Sequence, residues 1–308
     1  MVANHAAAAT PEPALPSAPR AALRRLEWQV RHAVNTTLGG DYRSAFRGRG
    51  MEFDQVVKYQ WGDDLRDIDW NVTARLGEPY RKKFVEEREL SLIFVFEDSP
   101  ALQFGSGRRM RRDALLEVAA LLMLLASVNR DRVGLFYSAP EASWYQRPLA
   151  GRKSTLRMAS RLMAQPPPPL DTAPTCAPPW RLIRRAASSG SVIVWLGAFV
   201  PAETPEGWRV LQQRCQTIGV RADDAWDLAL PERTHFSAYD PLAGRVINID
   251  TSSRAEQHAH ARWRTWREAY FNRLFPTRDG RFTFRSDDDS LQALIAYFRR
   301  LKAASAGG

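Results

Sequence analysis

Three continuous apolar runs constrain the fold of this chain more than any other feature. They cover residues 90–96 (LSLIFVF), 132–138 (RVGLFYS) and 191–196 (SVIVWL). Strands that are buried on both faces of a parallel sheet read as continuous apolar runs, whereas half-exposed strands alternate. Segments with helical spacing separate the runs, including residues 111–129 and 155–164. The pattern predicts an α/β protein with a largely parallel sheet and helices on both faces.

The carboxyl ends of the predicted strands indicate where a functional site is expected. In open α/β sheets, ligands bind beyond these ends. The first such loop spans residues 97–112, and we expect it to form the functional edge. Farther along, residues 142–148 are predicted as an edge strand and residues 220–230 as a further strand. Residues 236–239 and 245–249 are predicted to form a hairpin.

The last third of the chain holds a long predicted helix over residues 255–275. Its aromatic and apolar side chains recur at helical spacing: Trp263, Trp266, Tyr270 and Leu274. A stripe of this kind is more often part of a core than a cofactor site, so burial of all four is expected.

Residues 48–89 crowd acidic, basic, glycine and aromatic residues more densely than any other stretch. Asp63, Asp64, Asp67 and Asp69 lie within seven positions. Unpaired charges are rarely buried, whereas tryptophan favours burial. We therefore expect a structural network of arginine–carboxylate pairs on aromatic packing, and we assign nine residues to it: Glu52, Asp63, Asp64, Arg66, Asp69, Trp70, Arg75, Glu87 and Arg88.

The segments GRGMEF, KYQWGDDLRDIDWNVTAR and KKFVEERE resemble the signature of the bacterial domain-of-unknown-function-58 family. The departure is Val57, where the family pattern has arginine. The signature positions that match are Gly48, Gly50, Glu52, Phe53, Tyr59, Gly62, Asp63, Asp64, Arg66, Ile68, Asp69, Trp70, Ala74, Arg75, Glu87, Arg88 and Glu89.

The resemblance implies a fold and a role. The fold it implies is a von Willebrand A-like (Rossmann-type) α/β domain over residues 90–308. A disordered tail over residues 1–20 and an N-terminal helix with the signature over residues 21–89 would precede it. The role it implies is a non-enzymatic interaction module, an adaptor or co-chaperone of a MoxR-type AAA+ ATPase that acts on an unknown client protein.

Composition describes a globular protein with an excess of positive charge. The chain has 44 Lys and Arg against 34 Asp and Glu, for a formal charge of +10. A basic nucleic-acid or anionic-surface binding protein is therefore the alternative function. The longest apolar run, residues 114–128, contains Glu117 and is shorter than the roughly 20 residues that span a bilayer. We expect no membrane span and a cytoplasmic protein with reduced Cys176 and Cys215.

The loop after the first apolar run is a candidate metal site by resemblance to von Willebrand A domains. Von Willebrand A domains, which this region resembles, place Asp-x-Ser-x-Ser there to hold Mg²⁺. Here Glu97 and Ser99 match in type, but Ala101 supplies no oxygen, and neither does Ala198 after the third run. Thr155 is a weak stand-in for a further hydroxyl. The site is therefore degenerate, and no cofactor is expected.

The acidic cluster offers two further alternatives. Residues 63–69 could in principle bind Ca²⁺, but they lack the spacing of a Ca²⁺ loop. They could also supply a carboxylate pair for a hydrolase. Neither alternative is favoured over the structural network, and no catalytic residue is assigned.

The densest basic run begins the long predicted helix at residue 111. It comprises Arg108, Arg109, Arg111 and Arg112. Four cations at a helix N-terminus oppose the helix macrodipole unless an anion offsets them. Solvated charge is the simple interpretation, and the alternative is a site that binds an acidic segment of a partner through these arginines.

Overall fold

A computed structural model describes residues 17–34, 39–47, 55–60, 68, 70–83, 90–173, 175–232, 234–240 and 243–306. Predictions that fall on other positions lie outside the described residues. These include the tail over residues 1–16 and most of the signature. Among the described residues, no helix combines the length and apolarity that a bilayer span requires.

A six-stranded sheet forms the centre of the molecule. Its strands are β3 Ser91–Glu97, β4 Arg132–Ser138, β5 Ser143–Leu149, β6 Val192–Leu196, β7 Gln216–Asp223 and β10 Arg281–Arg285. Their spatial order is β10-β7-β6-β3-β4-β5. All neighbours are parallel except β4 and β5, which pair antiparallel at one edge. This is the doubly wound order of a von Willebrand A-like, Rossmann-type sheet, which confirms the predicted fold class.

Strand β3 lies at the middle of the sheet because both of its faces are apolar. Leu92, Phe94 and Phe96 pack on one face, while Ile93 and Val95 pack on the other. These residues are 0% exposed. Continuous apolar runs are the signature of strands covered on both sides, and here they predicted the central strands to within one residue.

Helices cover both faces. Their bounds are α1 Ser17–Ala33, α2 Gly39–Arg47, α3 Trp70–Leu76, α4 Arg111–Val128, α5 Arg152–Met163, α6 Trp180–Ala186, α7 Trp208–Arg214, α8 Ala225–Leu228, α9 Arg254–Leu274 and α10 Ser290–Ala306. Helices α1, α2, α4, α5 and α10 share the larger core with one sheet face. Helices α6, α7 and α9 cover the opposite face.

The N-terminal helices are built into this core. Leu26 and Val30 of α1 are each 1% exposed, and Tyr42 of α2 donates to Asp131 Oδ2 at 2.7 Å. Asp131 Oδ1 accepts from the backbone N–H of Leu90 at 3.3 Å, directly before β3. Helix α2 is therefore tied to the start of the central strand.

Two antiparallel strand pairs form sheets separate from the large one. Strands β1 Gln55–Lys58 and β2 Tyr80–Lys83 pair within the signature region. Strands β8 His235–Asp240 and β9 Arg245–Asp250 form the hairpin that the sequence predicts.

Several local predictions are wrong. The strand predicted over residues 220–230 ends at Asp223 and gives way to α8, whereas β10 had not been predicted at all. The predicted burial of the aromatic stripe on α9 is confirmed for Tyr270 and Leu274 but is wrong for Trp266, which is 59% exposed. Its neighbour Arg267 is 6% exposed and takes the inward position, since carboxylates after β7 supply partners for its charge.

Candidate functional site at the carboxyl edge of the sheet

The carboxyl ends of β3, β4, β6 and β7 meet at one edge of the sheet. Strand β3 is the switch point, because the chain proceeds to β4 on one side and later returns to β6 on the other. Doubly wound sheets bind ligands beyond the strand ends at this point. The residues that follow β3 are therefore the candidate functional site.

Asp98, the first residue after β3, is held by a buried cation. Arg112 donates to the Asp98 carboxylate from Nε at 3.0 Å to each oxygen and from Nη2 at 2.8 Å. Tyr137 adds a hydrogen bond from its hydroxyl at 2.9 Å. The exposed side-chain fractions of Arg112 and Asp98 are 7% and 0%. Burial disfavours the charged guanidinium, but the Asp98 carboxylate outweighs this effect and raises the pKa of Arg112.

Arg112 also links this edge to residues 165–179, which form the proline-rich segment. Arg112 Nη2 donates to the backbone carbonyls of Gln165 at 2.8 Å and Pro166 at 3.2 Å. Gln103 donates to the carbonyl of Pro168. Because these bonds come from the loop and helix that follow β3, the proline-rich segment is fixed across the carboxyl edge.

Glu97, the last residue of β3, lies on the opposite face, and no cation among the described residues pairs with it. Its side chain accepts from Trp195 Nε1 at 3.0 Å. Burial raises the pKa of Glu97 from its ordinary value of 4.5 to about 7, although the Trp195 bond favours the ionised form. Gly197 makes room for it, since a Cβ there would lie 3.2 Å from Glu97 Oε2. Ser138 pairs with Glu97 in the β3–β4 register.

A second ionic cluster lies at the end of β7. Arg111 pairs with Asp227, and Arg267 Nη1 lies 3.4 Å from Asp227 and 3.0 Å from Asp223. Arg221 donates to Asp223 and reaches Glu268 on α9 at 2.7 Å. Burial lowers the pKa of Arg267, and the neighbouring carboxylates only partly offset that effect. The alternation of charges is what permits three guanidinium groups to be buried here.

The loop after β3 is joined to this cluster through Asp224. Ser106 donates to the Asp224 carboxylate from its backbone N–H at 2.8 Å and from its hydroxyl at 2.5 Å. Burial of Asp224 opposes ionisation, but the Ser106 and Trp226 bonds prevail and lower its pKa. Trp226 packs on Phe236 of the β8–β9 hairpin with ring centroids 4.4 Å apart, and Tyr239 of that hairpin donates to Leu170 O at 2.9 Å. The hairpin therefore adjoins the same edge.

Known proteins are similar to this chain over most of its length. The family model described as "Protein of unknown function DUF58" matches residues 55–269. The chain belongs to the DUF58 family. This confirms the resemblance drawn from the signature. The uncharacterized protein Rv1480 of Mycobacterium tuberculosis and the uncharacterized protein Mb1516 of Mycobacterium bovis are each 28% identical to it. Each alignment covers 237 residues, 76% of this chain and 75% of the relative.

The basic run of this DUF58 chain does not form the single partner-binding surface that the sequence suggested. Arg111 and Arg112 are buried in internal ion pairs. Arg109 pairs with Glu117 and donates to backbone carbonyls at the start of α10. Arg108 has an exposed side chain, and its backbone N–H donates to Asp287 Oδ1 at 2.9 Å. The expectation is therefore corrected for Arg109, Arg111 and Arg112, because Glu117, Asp227 and Asp98 already neutralise them.

The residues at the degenerate metal position do not fit a Mg²⁺ cage. Glu97 is bonded to Trp195, and Ala101 contributes only a backbone carbonyl, which accepts from Arg111 Nη1 at 3.1 Å. Ser99 Oγ is buried without a hydrogen-bond partner, and the Thr155 hydroxyl donates to Gly151 O at 3.2 Å. Within the described ranges, no three His, Cys, Asp or Glu side chains are placed to hold a metal. Burial also raises the pKa of the Cys176 thiol to about 11, which disfavours a nucleophilic thiolate.

The predicted signature network lies mostly outside the described residues. This applies to Glu52, Asp63, Asp64, Arg66, Asp69, Glu87 and Arg88. Trp70 is described and is 69% exposed, and Arg75 is exposed as well. The structure therefore does not place these two side chains in a buried network. For the other members the network stays a prediction.

Sequence reasoning missed the acids that define this edge. The sequence assigns no functional role to Asp98, and Asp223, Asp224 and Asp227 fall within the strand predicted over residues 220–230. A signal was present, since the acids of RADDAWD come directly at the end of an apolar strand. Their partners could not be read from spacing, because Arg111 and Asp227 lie 116 residues apart.

Proposed function

We propose that this chain is a non-enzymatic protein-interaction module that works with a MoxR-type AAA+ ATPase in the assembly or maturation of another protein complex. Family membership supports the proposal through the resemblance of the signature to that of ATPase-associated proteins. The single observation that carries it is the pair between Arg112 and Asp98 at the carboxyl edge.

The pair matters because it neutralises the edge from within the chain, next to the degenerate metal position of Glu97 and Ser99. In the von Willebrand A domains that this chain resembles, Mg²⁺ at this edge bridges the module to a partner's carboxylate. Here an internal guanidinium neutralises the carboxylate beside the strand end and fixes the proline-rich segment as well. Asp98, Asp223 and Asp227 at this edge are paired with arginines of the chain. Paired carboxylates favour docking over chemistry, because a catalytic group has to be free to reach its substrate.

The exposed rim of this edge supplies the proposed contact. Arg108 is exposed, and Met110 is 47% exposed at the residue before α4. Arginine and methionine are both enriched in protein–protein interfaces. We therefore place the docking contact at Arg108 and Met110 instead of at the four arginines of the basic run.

Affinity purification from the native host tests the proposal. The tagged chain is expected to recover a MoxR-type ATPase after mild cross-linking, and the Arg108→Glu/Met110→Glu variant is expected to lose it. Arg209→Glu/Val210→Glu alters a comparable pair of exposed residues on α7, which packs on the sheet face opposite to α4, and serves as the control. Recovery of no AAA+ ATPase by the parent chain would count against the proposal.

A further inference from the structure

Helix α1 has a second face that lies outside the core formed by the described residues. Its inward face comprises Leu23, Leu26, Val30 and Ala33, all buried. At 3.6 residues per turn, Trp28 projects from nearly the opposite side, and it is 69% exposed. His32 stacks on its ring with centroids 5.7 Å apart and an interplanar angle of 6°. A single exposed aromatic is common on protein surfaces, so Trp28 points to a partner only together with the charges around it.

Cations surround this tryptophan. Arg24, one turn before it, is exposed, and Arg31, about one turn after it, has a side chain 58% exposed. Arg25 is 69% exposed and reaches Glu117 of α4 at 3.5 Å. The exposed face of α1 is thus an indole set among guanidinium groups.

Helix α5 extends the same charge. Arg152 at its start donates to Glu27 Oε2 of α1 at 2.9 Å, so the two helices are joined at their surface. Each helix contains four Lys or Arg residues, and Glu27 is the only acid in either sequence. That single carboxylate accepts from both Arg31 and Arg152. Lys153, which follows Arg152 in the sequence, is also exposed, so cations outnumber acids on this surface.

We propose that this basic α1–α5 surface, comprising Arg24, Arg25, Trp28, Arg31, Arg152 and Lys153, binds reversibly to the surface of an anionic lipid bilayer. Trp28 enters the headgroup layer, and the cations contact lipid phosphates. Tryptophan favours the interface because its ring is apolar and its N–H is polar. Lysine and arginine are drawn to the negative surface potential of anionic leaflets.

The shape of the surface favours a bilayer over other polyanions. The apolar side chains of α1 face the protein core, so the helix presents a convex ridge with one aromatic tip. Single-stranded nucleic acids are held in grooves where successive bases stack on several aromatics. An acidic peptide would also be expected to occupy a groove, whereas a bilayer can receive a ridge.

Vesicle co-sedimentation of the full chain tests the proposal. We expect binding to phosphatidylcholine vesicles that contain phosphatidylglycerol, a fall in binding as salt rises, and little binding to phosphatidylcholine alone. Arg24→Gln/Lys153→Gln removes two exposed cations and should weaken binding roughly 30-fold. Trp28→Ala should weaken binding without changing its dependence on salt.

The matched control is Arg209→Gln/Arg254→Gln, which removes two exposed cations from α7 and α9. It should bind as the parent does, and all variants should keep the parent's melting temperature. Any one of three results overturns the proposal. The first is absence of binding to anionic vesicles, and the second is an equal loss of binding in the control variant. The third is tighter binding to oligodeoxythymidylate or polyglutamate through the same residues.

Discussion

Arg112 and Asp98 form a buried ion pair at the switch point of the sheet, with guanidinium-to-carboxylate distances of 2.8 to 3.0 Å. The pair connects the residue after the central strand to the first turn of α4. It also holds the proline-rich segment through two carbonyls. Three parts of the chain that meet at the candidate site therefore depend on one arginine.

Removal of this arginine should be costly. Arg112→Ala leaves the Asp98 carboxylate buried without its cation, and we expect a loss of roughly 3–5 kcal/mol in the free energy of unfolding. Arg112→Lys should recover only part of it, because an ammonium cannot bind a carboxylate bidentately. Urea unfolding measures both values. Arg108→Ala is the matched control, and equal stability of the Arg112→Ala and Arg108→Ala proteins would contradict the account.

Glu97 should make stability depend on pH. Its pKa is about 7 in the folded protein, against an ordinary value of 4.5. The folded state therefore binds this proton more tightly than the unfolded state does. The contribution of Glu97 to the free energy of unfolding is fully present below about pH 4.5 and is lost as the pH rises to about 7. The contribution is roughly 3 kcal/mol, because one pKa unit is worth about 1.4 kcal/mol.

Glu97→Gln should remove this decline. Urea unfolding at acidic and at mildly alkaline pH compares the two proteins, and the gap between them should shift in favour of the glutamine variant as pH rises. A gap that stays constant across this range would show that Glu97 does not titrate there.

Arg267 on α9 is buried, whereas Trp266, for which the sequence predicts burial, is exposed. Arg267→Met removes the cation that contacts both Asp223 and Asp227, and we expect a loss of roughly 3–5 kcal/mol in unfolding free energy. Trp266→Ala changes an exposed side chain and should change stability by about 0.5 kcal/mol or less. Thermal and urea unfolding of the two variants provide the comparison, and the reverse ranking would refute the assignment of faces on α9.

The sequence predicts the fold class correctly because the central strands are apolar on both faces. Strand β10 is not predicted because it lacks a continuous apolar run. It is the edge strand RFTFR, in which Phe282 and Phe284 alternate with exposed or half-exposed residues. The site was less accessible to prediction. Arg112 and Asp98 are 14 residues apart, and the pairing emerges only when β3 and α4 pack together.

Calorimetry with Mg²⁺ should give no saturable heat. The Asp98 carboxylate is taken by Arg112, Glu97 is bonded to Trp195, and Ala101 has no side-chain oxygen. A hard divalent cation would have to displace these bonds and still lack a complete oxygen cage. One-site binding that disappears in Glu97→Gln would show that the degenerate position still functions.

We propose that the chain docks a MoxR-type ATPase through a metal-independent edge. Biolayer interferometry with the purified ATPase of the same organism, in chelator, measures it. We predict saturable binding that weakens with salt and falls by at least about tenfold in Arg108→Glu, while Arg209→Glu matches the parent. Absence of saturable binding by the parent chain at every salt concentration would contradict the account.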